Sequence, residues 1–315
     1  MMPIQMIPAP PGDAPPATFD ELLARHRRAI HLFCYRMVAS YTDAEDLVQE
    51  AMMRAWKARD SYDAATGALG FRRWLHRIAN NACLDFLKSA TRKVAANAQS
   101  YAEVPWLQPY PDQLLDEDAA GKEQVALGYL ALIQLLPAQQ RAVFVLRDVL
   151  GWSAQEVADA LDVSVAAGNS ALQRARESVE RHAPSYPTPS AATDEERAVL
   201  AAFISTHEGA DAAACAALMS KDIRITMPPH PVCFVGRDAI APLLERAFAG
   251  EGEWRCLPVW ANRQPAAVCY LRRPGDTAFR AFKIDVLRVG GGLVEEVTTF
   301  DASLVAAFGC PDVLP

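Results

Sequence analysis

Basic and amide side chains between residues 71 and 93 have the types and spacing of a nucleic-acid contact surface. Arginine and lysine pair with phosphate, and asparagine can hydrogen-bond base edges. This stretch holds six basic residues against one acidic residue. Its polar side chains fall on one side of a helical wheel: Arg72, Arg73, Arg77, Asn80, Asn81 and Lys88. The alternative is a charged helix face that is only solvated.

An amphipathic helix must position these side chains. Apolar residues recur on the other side of the same segment, from Phe71 to Phe86, at the i, i+3, i+4, i+7 spacing of a buried stripe. Residues 44–55 show the same spacing, and Thr42 with Glu45 predicts a capping box at their start. The outer side of this earlier helix carries a polar strip that suits a partner helix: Asp46, Gln49, Glu50 and Met53.

Residues 153–176 show a helix-turn-helix pattern. Ser153 with Glu156 predicts a capping box, and Asp162-Val163-Ser164 gives a short turn before a second helix. The second helix turns outward the kinds of side chain that pair with major-groove base edges and phosphates: Asn169, Ser170, Gln173, Arg174 and Arg176. An antiparallel helical hairpin with a polar surface fits the pattern equally well.

The net charge of −7 taken alone argues against a nucleic-acid partner. The charge is uneven, however, because residues 19–95 carry thirteen basic residues against nine acidic ones, whereas residues 96–122 carry one against five. Residues 183–192 include three prolines, which is typical of a linker. We therefore predict domain 1 (19–95), an acidic linker (96–122), domain 2 (123–182) and a C-terminal domain (193–315).

Composition restricts the class of protein. The chain has 315 residues, of which 51% are apolar, and this is ordinary for a globular protein. The apolar runs are shorter than the roughly 18 residues that span a bilayer, and the N-terminus lacks the pattern of a signal peptide. We expect a cytoplasmic protein without a membrane partner. The seven cysteines lack metal-site spacing, so we predict no metal site and no cofactor.

The C-terminal domain has an α+β pattern. Helical spacing precedes a β-like run at 223–227 and returns around Ile240, and four further β-like runs occupy 254–262, 266–272, 278–289 and 293–300. Three consecutive glycines at 290–292 predict a turn between the last two runs. Candidate acid–base residues by type are His207, His230, Asp222 and Asp285. The sequence fixes none of them in a pocket, and we predict no catalytic residue.

Three strings resemble conserved regions 2 and 4 of bacterial extracytoplasmic-function (ECF) sigma factors. They are DAEDLVQEAMMRAW (43–56), FRRWLHRIANNACLDFL (71–87) and LPAQQRAVFVLRDVLGWSAQEVADALDVSVAAGNSALQRAR (136–176). The remainder resembles a SnoaL-like domain, as in the SigG-like and SigJ-like subgroup. The resemblance implies two all-α domains, a region 2 helical bundle and a region 4 helix-turn-helix, followed by an α+β cone of the SnoaL/NTF2-like type.

The resemblance also implies partners and roles. A sigma factor binds core RNA polymerase and directs it to promoter DNA. By resemblance, Asp46, Gln49 and Glu50 dock on the β′ clamp, and domain 2 contacts the β flap. Asn80 lies where the family recognises the minus-10 element, beside the phosphate-binding Arg73, Arg77 and Lys88, with the loop at 60–70 as the base pocket. By resemblance, the minus-35 element is recognised by Asn169, Ser170, Gln173, Arg174 and Arg176.

The roles of the linker and the C-terminal domain stay open. The acidic linker either follows a path in polymerase built for RNA or is a solvated tether. We expect the C-terminal domain to modulate activity through an intramolecular contact with the sigma core, made by residues 105–112 and 289–301. The alternatives are a stand-alone helix-turn-helix regulator whose cone binds a small ligand, and an isomerase-like or cyclase-like enzyme fused to a DNA-binding module.

One departure from the helical pattern concerns the second helix of the helix-turn-helix. Its buried stripe runs back to Gly168, where a branched apolar residue is expected. Glycine costs about 1 kcal/mol in a helix interior relative to alanine. We therefore predict that this recognition helix is loosely held, and that a larger apolar residue at position 168 stabilises domain 2.

Overall fold

The computed structural model describes residues 18–89, 104–115, 125–182, 193–250 and 252–315. Domain 1 consists of three helices: α1 (Phe19–Val38), α2 (Tyr41–Lys57) and α3 (Gly67–Ser89). Short 3₁₀ turns at Arg59–Ser61 and Ala64–Thr66 connect α2 to α3. The predicted loop at 60–70 is therefore shorter than expected, because α3 begins at Gly67.

The start of α2 differs from the prediction. Ser40 is the N-cap, and its Oγ accepts a hydrogen bond from Asp43 N. The expected box of Thr42 and Glu45 is wrong because tertiary contacts engage both residues. Thr42 N donates to Gln108 Oε1 at 2.9 Å, and the Glu45 carboxylate pairs with Arg27 Nη2 at 2.8 Å.

Domain 2 contains the predicted helix-turn-helix. Its helices are α4 (Leu127–Gln134), α5 (Ala138–Phe144), α6 (Ala154–Leu161) and α7 (Val165–His182), and a π-helical turn at Val145–Val149 follows α5. Both hydrogen bonds of the Ser153–Glu156 capping box are present at the start of α6. The helix ends at Asp162, whose φ of 55° reverses the chain toward α7.

The C-terminal domain is a curled sheet with helices on its concave side. Its helices are α8 (Asp194–Glu208), α9 (Ala212–Ala217) and α10 (Arg237–Phe248). The strands are β1 (Met219–Met227), β2 (His230–Val235), β3 (Glu253–Ala261), β4 (Gln264–Arg272), β5 (Phe279–Gly290), β6 (Leu293–Asp301) and β7 (Val313–Leu314). They lie in the order β2-β1-β6-β5-β4-β3, and β7 pairs with β5. The sequence prediction missed β2, which has a proline at its second position, and the two-residue β7.

Both faces of the sheet are buried along β4 and in the middle of β5. Side chains alternate along a strand, so Ile284 and Val286 of β5 lie on one face while Asp285 and Leu287 lie on the other. Leu287 packs under α8 and α10 in a core of the C-terminal domain. Ile284 and Val286 belong to a separate core that extends without interruption into domains 1 and 2. The convex face of the cone is therefore packed on the sigma domains.

Residues 104–115, named the strap, lie between the sheet and domain 1. Val104, Leu107 and Tyr110 of the strap are buried. Gln108 N donates to Ala39 O at 3.0 Å, and Tyr35 Oη donates to Gln108 O at 2.8 Å. A solvated tether is therefore the wrong description of these residues. The rest of the predicted linker, 96–103 and 116–122, lies outside the described residues.

Candidate nucleic-acid interface

The polar strip on α2 is accessible. Asp46 and Gln49 are exposed, and Glu50 accepts a hydrogen bond from Arg54 Nε at 2.6 Å. Met53 and Trp56 continue the strip with apolar surface, and these residues are 52% and 43% exposed. The sequence prediction missed Trp56, although its spacing of three residues from Met53 places it on the same side of the helix. Carboxylates beside exposed apolar groups form a surface suited to another protein.

Domain 2 lies against the basic side of α3. Arg73 Nη2 is 3.1 Å from Glu156 Oε1, and Arg77 Nη2 is 3.5 Å from Asp162 Oδ2. The Arg72 guanidinium lies 5.3 Å from the ring centroid of Trp152, a favourable cation–π geometry. Two arginines predicted to contact phosphate are therefore paired with carboxylates from the helix-turn-helix.

Asn80 is buried, which contradicts the expectation of an outward-facing side chain. It lies one turn after His76, whose ring packs 5.0 Å from Trp152 of domain 2 and 5.4 Å from Phe33 of α1. Asn80 Oδ1 has no hydrogen-bond partner among the described residues. Asn80 thus shares the covered side of α3, while Asn81 and Lys88 are exposed as predicted. Burial lowers the pKa of His76 to about 4.

The outward face of α7 is open. It brings together on one exposed surface the four predicted residues Asn169, Ser170, Gln173 and Arg174. Arg176 is also exposed, but its Nε and Nη2 bind the two carboxylate oxygens of Asp148 at 2.8 and 2.6 Å. Such a bidentate pair fixes the guanidinium geometrically. A methyl group at the buried Gly168 would have no heavy atom of the described residues within 4 Å, apart from its chain neighbours and the backbone of its own helix, so this part of the helix is loosely packed.

The β3–β4 turn joins the C-terminal domain to the other parts of the chain. Asn262 is buried, and its Nδ2 donates to Tyr35 Oη at 3.0 Å and to Val125 O at 2.6 Å. Its Oδ1 accepts from Tyr110 N at 2.7 Å. One amide group therefore contacts α1, the strap and the start of domain 2. At the next position, Arg263 N donates to Asp112 Oδ1 of the strap at 2.8 Å.

Sequence reasoning did not identify Asn262. An Asn at the first position of a two-residue hairpin turn is explained locally by its φ of 55°. Its hydrogen-bond partners lie far away in sequence, so the residues around Asn262 do not predict them. The expected contact residues 289–301 contribute Phe300, which is buried in the core shared with the sigma domains.

The cone interior holds two of the four candidate acid–base residues. Asp285 is buried, 2.7 Å from Lys283 Nζ, and it accepts a hydrogen bond from Thr299 Oγ1 at 2.7 Å. His207 is buried too, and burial lowers its pKa to about 4. Asp222 and His230 are exposed. Within the described residues, no group of His, Cys, Asp and Glu has the geometry to hold a metal ion, and no helix is long and apolar enough to cross a membrane.

Comparison with known proteins agrees with this architecture. The family model for sigma-70 region 2 matches residues 22–93, and the model for sigma-70 region 4 matches residues 127–179. The ECF RNA polymerase sigma factor SigG of Mycobacterium tuberculosis is 36% identical over 327 residues, covering 96% of this chain and 87% of SigG. SigE of Mycolicibacterium smegmatis is 29% identical over 175 residues, covering 55% of this chain and 65% of SigE.

A solved structure shows the same fold over nearly the whole chain. The crystal structure of the Mycobacterium tuberculosis ECF sigma factor SigJ superposes with a TM-score of 0.59 at 21% identity. The superposition covers 94% of this chain and all of SigJ. The likeness therefore includes the C-terminal cone as well as the helical domains.

Two helical modules that match sigma-70 regions 2 and 4, followed by an α+β domain with a curled sheet, define a sigma-70-type transcription initiation factor, a non-enzymatic class of protein. The length and identity of the match to SigG refine this assignment. The chain belongs to the ECF RNA polymerase sigma factors, which direct RNA polymerase to promoters.

Proposed function

We propose that this sigma factor rests in a closed form, in which domain 2 covers the minus-10-recognising side of α3. The pairing of Arg73 with Glu156 and of Arg77 with Asp162 is the observation that supports this proposal. Carboxylates occupy the positions at which these arginines would meet phosphate. Promoter recognition then requires domain 2 to move away from α3.

The proposed contacts in the open form follow from the exposed surfaces. Asp46, Gln49 and Glu50 dock on the β′ clamp of core RNA polymerase. Arg73, Arg77, Asn80 and Lys88 engage the minus-10 element, and domain 2 contacts the β flap. Recognition of the minus-35 element is assigned to α7 through Asn169, Ser170, Gln173, Arg174 and Arg176. The site of action is the cytoplasm, where core RNA polymerase works.

The C-terminal domain is the part that we propose modulates opening. We divide the chain into domain 1 (19–95), the acidic linker (96–122), domain 2 (123–182) and this C-terminal domain (193–315). Asn262 ties it to α1, to the strap and to Val125 at the entrance of domain 2. Domain 2 cannot move away from α3 freely while its first described residue is held by Asn262. Packing of the convex face of the sheet on the sigma domains supports the same role.

The paired substitution Glu156→Gln with Asp162→Asn tests the closed form. Glutamine keeps the hydrogen bonds of the capping box, and asparagine tolerates the left-handed conformation at position 162. Exposed ion pairs contribute about 0.2 to 1 kcal/mol each, so the open fraction should rise by roughly 2- to 30-fold. We expect more run-off transcription by holoenzyme from a promoter selected in a random DNA library, and faster hydrogen exchange in α3.

The matched control is Asp222→Asn with Glu245→Gln. It changes the net charge by the same amount at two exposed positions of the C-terminal domain. An equal gain in transcription from this control, or unchanged exchange in α3 of the test variant, would refute the closed form.

A further inference from the structure

A cavity of about 790 Å³ lies where the strap meets the C-terminal domain. Pro111 and Asp112 of the strap form one wall, Leu257 to Trp260 of β3 form another, and Phe308 closes the end. A second cavity of about 740 Å³ adjoins it along α8, and the two share Arg197, Pro258 and Trp260. The promoter-binding and polymerase-binding surfaces use neither cavity.

The charge in this cavity is incompletely satisfied. Arg263 lines it, and Arg263 Nε is buried without a hydrogen-bond partner among the described residues. Its Nη1 is 3.9 Å from Asp112 Oδ2, beyond hydrogen-bond distance. Burial raises the pKa of Asp112, because desolvation outweighs the hydrogen bond from Arg263 N. Among the described residues, the guanidinium thus faces one desolvated carboxylate, which lies too far from Nη1 for a hydrogen bond.

These features select a class of ligand. Pockets that bind small molecules commonly enclose about 300 to 1,000 Å³, with apolar walls and a few polar groups that orient the ligand. Trp260, Leu257 and Phe308 supply apolar walls, and Arg263 supplies a planar donor suited to a carboxylate. A cationic ligand would be repelled by Arg263, and a neutral one would accept its hydrogen bonds without balancing its charge, which makes a weaker pair than a carboxylate does.

We propose that this cavity binds an amphipathic carboxylate, whose acid group pairs with Arg263 and whose hydrocarbon body lies along β3. Asp112 already places a carboxylate near the same guanidinium, so the ligand and the strap compete for Arg263. Binding therefore weakens the attachment of the strap to the C-terminal domain. This consequence for the strap rests on the modulating role proposed above, whereas the binding site itself does not.

Isothermal titration of the full chain with decanoate tests the site. We expect saturable binding with one ligand per chain, and much weaker binding of decanol and decylammonium. Arg263→Gln should weaken decanoate binding by roughly 10- to 150-fold, the usual effect of losing a hydrogen bond to a charged group. Asp112→Asn should tighten it by several-fold, because the competing charge is lost while an acceptor for Arg263 N is kept.

Arg246→Gln, at an exposed position on α10, is the matched control and should leave decanoate affinity unchanged. Equal affinity for decanol, no saturable decanoate binding, or unchanged affinity in Arg263→Gln would overturn the site. Unchanged affinity in Asp112→Asn would overturn the competition with the strap. The titration contains neither polymerase nor DNA, so its outcome is independent of the closed-form proposal.

Discussion

Asn262→Gly is the substitution that addresses the closed arrangement most directly. Glycine adopts the φ of 55° without steric cost, so the change removes a side chain and leaves the turn geometry possible. The side chain makes three hydrogen bonds to described residues, with Tyr35, Tyr110 and Val125. Each joins the β3–β4 turn to another part of the chain. The substitution therefore acts on the junction rather than on the interior of the cone.

The expected magnitude follows from these bonds. A buried hydrogen bond contributes about 0.5 to 1.5 kcal/mol net, so three give roughly 1.5 to 4.5 kcal/mol for the attachment of the β3–β4 turn to the other parts of the chain. The ratio of detached to attached β3–β4 turns should then rise by about 10- to 2,000-fold. The core of the cone around Phe203 and Leu287 makes no use of Asn262 and should keep its stability.

Hydrogen exchange measures this redistribution segment by segment. We expect faster exchange at the amides of Gln108 and Tyr110 in the strap and little change in β5 and β6. Ala210→Gly is the matched control, because Ala210 also has a positive φ, of 49°, but is exposed between α8 and α9. Unchanged protection of the strap amides in Asn262→Gly would refute the role of Asn262 in attaching the β3–β4 turn. The same acceleration of exchange in both variants would refute it too.

Two further predictions concern the helices of domains 1 and 2. Burial lowers the pKa of His76 to about 4, because the folded protein, in which the ring contacts Trp152, favours neutral imidazole. The contribution of His76 to the free energy of unfolding is therefore full above about pH 6.5 and is lost as the pH falls toward 4. Denaturant titrations of His76→Phe should show a shallower loss of stability over this window, and an unaltered pH profile would contradict the assignment. Gly168→Ala should raise stability by about 1 kcal/mol, because the methyl group meets open space within a helix. Calorimetry should show a higher Tm, and a lower value would mean that α7 needs the glycine.

Features with a local physical cause were predictable from sequence. The Ser153–Glu156 box forms as predicted because both partners lie within one helical turn. At α2 the same reasoning failed, because the Thr42 amide donates its hydrogen bond to Gln108 instead of to Glu45. Gln108 lies more than sixty residues away in sequence. Local capping patterns compete with tertiary partners that spacing alone does not reveal.

The burial of the convex face of the sheet was predictable from the sequence of β4. A strand with one solvated face alternates apolar and polar residues, whereas β4 runs PAAVCYL from 265 to 271, and all seven are buried. Such a run predicts burial on both faces, but it does not say what lies on the second one. That information resides in long-range contacts such as the one between Asn262 and Tyr35, 227 residues apart.

The locations of the polar strip and the basic face suggest an order of assembly under the closed-form proposal. Asp46 and Gln49 on α2 are exposed in the closed chain, so core polymerase can bind before domain 2 moves. Arg73 cannot pair fully with Glu156 and with phosphate at once, so closure and promoter binding exclude each other. The apparent affinity for DNA then equals the intrinsic affinity multiplied by the open fraction. Under the same proposal, an interaction that loosens the strap raises the open fraction without contacting DNA. The acidic segments of a chain with net charge −7 would then influence promoter recognition without binding DNA themselves.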